Sequence, residues 1–70
     1  MSNKIYDGAR RILKALIIEF RRENMSDGDI ADSIEHAKKI INRVPIITQN
    51  AKESLSKAID DTKKELGGKK

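Results

Sequence analysis

The chain reads as all-α, an antiparallel three-helix bundle, on three observations. Apolar residues recur at helical spacing in three separate stretches. Two breaks divide those stretches, one at Asn24-Met25-Ser26-Asp27-Gly28 and one at Pro45, the only proline. Strand signals are missing: there is no sustained alternation and no hairpin dipeptide between β-rich runs.

Helix 1 is expected over residues 3–24. Ile5, Ala9, Ile12, Leu16 and Phe20 form its main apolar row, and Tyr6, Leu13 and Ile17 form an adjacent one, so a wide face is expected to be buried. Gly8 costs about 1 kcal/mol against alanine in such a helix. Ile18 lies off both rows.

Helix 2 is expected over 27–43. Ser26 is its N-cap and Asp29 the acidic member of a capping box. Asp27, Asp29 and Asp32 complement the positive end of its dipole, and Lys38, Lys39 and Arg43 the negative end. Its stripe is Ile30, Ile34, Ala37, Ile41 and Val44, widened by Ile40. Pro45 should push Val44 out of the helix and itself open helix 3 at the first helical position.

Helix 3 is then expected over 45–66, with Ile47, Ala51, Leu55, Ala58, Ile59, Thr62 and Leu66 facing inward. Gly67-Gly68 stops it, leaving a single domain over 1–66 and a Gly-Gly-Lys-Lys tail over 67–70.

A domain of 70 residues without cysteine has neither disulfide nor thiolate metal site to staple it. Helix packing and self-association remain as sources of stability. The absence of cysteine suits a reducing cytosol. Arg10, Arg11 and Lys14 interrupt any secretory apolar region, and the longest apolar run, Ala15-Leu16-Ile17-Ile18, is far short of a membrane span. A cytoplasmic protein is expected.

Catalysis has little to work with. His36 is the only histidine, Asp32 and Asp29 beside it are better explained as helix-dipole partners than as metal ligands, and no glycine-rich phosphate loop is present. No enzyme activity, cofactor or metal is expected. The net charge of +4 is divided as +3 over residues 1–24, −1 over 25–44 and +2 over 45–70. A second reading is a small phage- or plasmid-type regulatory protein that binds nucleic acid or another protein through basic helix 1, with Arg10, Lys14 and Arg21, near one edge of that helix, as the candidate phosphate contacts. A helix-turn-helix is disfavoured because helix 2 continues to Arg43 without a turn.

The segment Val44-Pro45-Ile46-Ile47-Thr48-Gln49-Asn50-Ala51-Lys52-Glu53-Ser54-Leu55-Ser56-Lys57-Ala58-Ile59 resembles the start of the third helix in immunity proteins for pediocin-like (class IIa) bacteriocins, including the closing Ser-Lys-Ala-Ile. The resemblance implies a non-enzymatic cytosolic bundle that protects a producer cell. Its implied partner is the mannose phosphotransferase permease at the inner face of the membrane. Partner contacts are then expected on the exposed side of helix 3, at Gln49, Lys52, Lys57, Lys63 and Lys64, and on the basic tail. Members of that family have four helices. With three here, a homodimer is expected to complete the core, through Ile18, Ile40 and Ile46.

Overall fold

The computed structural model describes residues 3–67. Three helices follow in order: α1 (Lys4–Arg22), α2 (Asp27–Arg43) and α3 (Gln49–Gly67). The expected tail residues 68–70 lie outside the described residues.

Local chemistry sets each boundary. The Asn3 side chain accepts a hydrogen bond from the Tyr6 N–H at 3.0 Å and so caps α1. At the other end Asn24 takes a left-handed conformation, φ 66°. The Asn24 N–H then donates to the Arg21 carbonyl at 3.0 Å and the Met25 N–H to the Phe20 carbonyl at 3.1 Å. That pair of bonds is a Schellman stop, and Met25 and Phe20 both pack on the core beside it. The expected helix 1 therefore closes two residues before Asn24. Ser26 caps α2 by accepting from the Asp29 N–H at 3.2 Å. Among the described residues only this serine half of the expected capping box is formed.

The start of α3 differs from expectation. Val44 does leave the helix into extended backbone, φ −83° and ψ 111°, as a residue before proline should. Pro45, however, sits second in a turn closed by the Ile47 N–H donating to the Val44 carbonyl at 3.3 Å. The turn puts Ile46 in solvent, 87% exposed, and leaves Ile47 half-buried. Helix α3 begins only after Thr48, whose Oγ1 accepts from the Ala51 N–H at 3.2 Å. A proline can open a helix or a turn with the same φ. Here the threonine cap three residues later decides for the turn.

Ties between α1 and α3 rise in number together: Asn3 to Ser54, Tyr6 to Asp61, Arg10 to Glu65. These two helices run parallel. Ties from α2 run in the opposite order, Asn42 to Lys52, Lys38 to Asp60 and Glu35 to Lys63, so α2 is antiparallel to α3. Consecutive helices thus alternate in direction, as expected. Helix α3 is the middle of the fold: α1 and α2 each pack along it, while they approach each other only marginally.

The core consists of Leu13 and Ile17 from α1, Ile30 and Ile34 from α2, and Ala58 and Ile59 from α3. Tyr6, Ala9, Phe20, Met25, Ile41 and Leu66 pack around it. Thr62 is the buried polar residue among the described residues. Its hydroxyl donates to the Ala58 carbonyl at 2.7 Å and accepts from Arg10 Nη1 at 2.9 Å, so neither face of the oxygen is orphaned.

Two expectations about the core are corrected. On α1 three members of the row expected to lead, Ile5, Ile12 and Leu16, lie outside, while Ala9 and Phe20 of that row pack on the core beside Leu13 and Ile17, the buried pair of the adjacent row. On α2 Ala37 is exposed. The cause on α1 is polar. Asn3, Tyr6 and Arg10 occupy one edge of the helix and all find partners on α3, and this rotates α1 toward that edge and away from its other apolar flank.

Candidate functional site

Polar ties run along the two seams of α3. On the α1 side, Asn3 Nδ2 donates to Ser54 Oγ at 3.0 Å, and the Tyr6 hydroxyl donates to Asp61 Oδ2 at 2.5 Å. Arg10 bonds both Thr62 and Glu65. The hydrogen bond to Asp61 and then desolvation raise the pKa of Tyr6, while the same hydrogen bond lowers that of Asp61. Arg10 and Glu65 are likewise shifted apart by their own hydrogen bond, arginine upward and glutamate downward. On the α2 side, Lys63 Nζ donates to Glu35 at 2.6 Å and Lys38 Nζ to Asp60 at 2.9 Å. Glu35 is lowered by Lys63, and Lys38 is raised by Asp60. Lys52 Nζ donates to the Asn42 carbonyl at 3.3 Å, covering a free carbonyl at the end of α2.

These ties sort the residues expected to meet partners. Lys52 and Lys63 are half-buried cross-ties to α2, which corrects the expectation that they share the exposed side of helix 3. Gln49, Lys57 and Lys64 are exposed on α3, with Gln49 bonded to Glu53 at 3.4 Å and Lys57 set 3.9 Å from Asp61. Of the three candidate phosphate contacts, Arg10 is committed to α3, its side chain 17% exposed. Lys14 and Arg21 stay at the surface, Arg21 reaching Asp27 at 3.4 Å. Both edge a shallow recess of about 300 Å³ together with Ile17, Ile18, Glu65 and Leu66. The three cations therefore do not form one free row. The basic tail lies outside the described residues.

Among the described residues no group of three or more histidine, aspartate or glutamate side chains is placed to hold a metal ion. Among the described residues no helix is long and apolar enough to cross a membrane.

The feature that sequence reasoning placed wrongly is the most distinctive surface. Ile5, Ile12 and Leu16 are 45%, 64% and 41% exposed. At 3.6 residues per turn they fall within about 40° of one another, a straight stripe along α1. The tied edge of Asn3, Tyr6 and Arg10 is centred about 130° away round the helix. On α2, Ile40 is 50% exposed and also lies opposite its own helix's ties, Glu35 and Lys38. Of the three residues expected on a self-association surface, Ile18, Ile40 and Ile46, all are exposed, but Ile18 is on the far side of α1 from the stripe and Ile46 is in the turn. The signal for the stripe was present in the sequence: two apolar rows on α1 span an arc wider than one neighbouring helix can cover.

Compared with protein-family models, curated proteins and solved structures, the chain matches none of them.

Proposed function

We propose that this chain is a non-enzymatic helical binding protein that acts by burying the α1 stripe against another polypeptide. The observation that carries the reading is the run of Ile5, Ile12 and Leu16 in solvent, on a helix whose other edge is fastened by side-chain hydrogen bonds. Single exposed apolar residues need no explanation, but an aligned set of three large ones on a 70-residue chain marks an interaction surface. In its narrower form the reading is immunity to a class IIa bacteriocin, which the 44–59 segment suggests. The chain then works in the cytoplasm, at the inner face of the membrane, against the permease that the peptide targets. Gln49, Lys57 and Lys64 provide a polar contact on α3, on a different helix from the stripe.

The test is expression in a strain sensitive to class IIa peptides. Protection is expected, and Ile12→Lys or Leu16→Lys is expected to remove it while leaving the helical circular dichroism intact. No protection by the parent chain against any such peptide would sink the immunity form. Protection that survives both lysine substitutions would sink the stripe as the working surface.

A further inference from the structure

Cations expected to meet two different partners share one face of the fold. Helix α1 runs parallel to α3, and round α1 beyond its tied edge at Tyr6 and Arg10 come Lys14, Ile18 and Arg11. Round α3 beyond Asp61 and Glu65, on the same side of the seam, come Lys57 and Lys64. Two contacts of Lys14 tie the halves together. It borders a recess with Glu65 and Leu66 of α3, and after Arg10 it helps to lower the pKa of Glu65. Two parallel helices side by side thus present one flat cationic face, centred about 150° round α1 from the stripe of Ile5, Ile12 and Leu16.

Most of these cations are unengaged. Arg11, Lys14 and Lys64 are exposed, and among the described residues no carboxylate lies within 4.0 Å of them. Lys57 stands 3.9 Å from Asp61, at the oxygen that already accepts from Tyr6. Glu65 is met by Arg10, and Arg21 is held by Asp27 at 3.4 Å and only borders the face. Asp7 is the exposed carboxylate that opposes the others. The start of α2 has the opposite sign, with Asp27, Asp29 and Asp32 exposed.

What sits among the cations selects the polyanion. Ile18 is 56% exposed, with Lys14 one turn and Arg11 two turns before it. It also lines the recess with Ile17 and Leu66. Phosphates alone gain nothing from an apolar centre, and sequence-tolerant strand binding needs rings on which bases stack. Tyr6 is bonded to Asp61 and Phe20 packs on the core, so among the described residues no ring is free. An anionic lipid surface uses both parts. Lysine and arginine stems lie along apolar surface while their heads reach the phosphates, and isoleucine enters the boundary between headgroups and acyl chains.

We propose that the outer face of the α1–α3 seam binds anionic lipid bilayers, with Arg11, Lys14, Lys57 and Lys64 at the headgroup phosphates and Ile18 inserted between them. The contact is peripheral, and salt weakens it. The stripe points away from the bilayer in this pose and stays open to a polypeptide. The lipid face does not depend on the reading of the stripe.

Vesicle co-sedimentation tests the proposal. Binding is expected to phosphatidylcholine vesicles containing about 30% phosphatidylglycerol at about 50 mM salt, at least 10-fold weaker at about 0.5 M and absent with phosphatidylcholine alone. Lys14→Gln combined with Lys64→Gln should lower partitioning about 25-fold, at about 5-fold for each cation. The same charge loss on the exposed side of α2, Lys39→Gln with Arg43→Gln, should change it less than about 3-fold. Ile18→Ser should lower it about 5-fold, and Ile12→Ser on the stripe should leave it unchanged, all with intact circular dichroism. No binding to the anionic vesicles, or equal losses from the two lysine and arginine pairs, overturns the proposal. Tighter binding to a DNA duplex than to vesicles, lost with Lys14→Gln and Lys64→Gln but indifferent to Ile18→Ser, also overturns it and gives the face to nucleic acid. Vesicle binding with this pattern in a chain that protects no strain supports the lipid face while the immunity reading fails.

Discussion

Thr62 and Asn24 show how much of this small fold depends on single polar groups. Thr62 is fully buried, and its hydroxyl links the α3 backbone to the Arg10 guanidinium of α1. Thr62→Val keeps the shape and removes that link, leaving a largely covered arginine with one acceptor fewer. A loss of about 1.5–3 kcal/mol is expected from the urea midpoint, the range for hydrogen bonds to charged groups. Asn24 holds the left-handed turn that ends α1 at φ 66°. Asn24→Ala is expected to cost about 1 kcal/mol and Asn24→Gly to be neutral or slightly stabilising, because only the β-carbon is strained there. If alanine and glycine behave alike in thermal melts, the Schellman stop is not what fixes the end of α1.

At the scale of the element, the question is which face each helix turns inward. Helix α2 follows its pattern: Ile30 and Ile34 are buried and Ile41 packs beside them. Helix α1 offers two apolar rows, and its polar partners on α3 choose between them. That choice has a measurable consequence. Ile30→Ala, at a residue with no exposure, should cost about 2–5 kcal/mol. Ile12→Ala, in dilute protein, should stay within about 0.5 kcal/mol. The two belong to equally strong apolar patterns in the sequence, so comparable losses would mean that α1 is rotated to bury Ile12. The α2–α3 joint makes a similar point. Pro45 was legible as a break, and Val44 as the residue it expels. Whether the proline opened a helix or a turn depended on Thr48, a modest capping residue whose role appears only when its Oγ1 meets the Ala51 N–H.

For the whole molecule, α3 serves as the spine, with α1 and α2 splayed on it. The radius of gyration is 12.3 Å, against about 11 Å for a compact chain of this length. Ion pairs and hydrogen bonds along the two seams make stability depend on pH at both ends. Glu35, Asp61 and Glu65 titrate below their ordinary values in the folded chain. Their stabilisation is present above the unfolded values near pH 4 and is lost as pH falls through the depressed ones. Lys38 and Tyr6 are shifted upward, so their contribution is present below their unfolded values near pH 10 and is lost as pH rises through the raised ones. Urea midpoints should therefore show a plateau between about pH 5 and 9, with a fall on each side. Tyr6 is the only tyrosine, so its phenolate absorbance reads one group. Its titration midpoint should move down in Asp61→Asn, and an unmoved midpoint would remove the Tyr6–Asp61 bond from the fold.

The sequence by itself determined three helices, their approximate bounds, their alternating direction and most of the core on α2 and α3. These follow from periodicity, caps and breakers, which act over a few residues. It also marked Arg10, Lys52 and Lys63 as surface cations, and there it misled, because a charged side chain on a helix looks the same whether it meets solvent, a carboxylate 28 or 55 residues away, or a backbone carbonyl 10 residues away. Only the tertiary structure decided that α1 turns Leu13 and Ile17 inward and leaves Ile5, Ile12 and Leu16 out. Hydrophobicity alone ranks those two rows almost equally. The difference comes from hydrogen-bond partners on another helix, which hold one edge of α1 down and leave the apolar flank opposite it open.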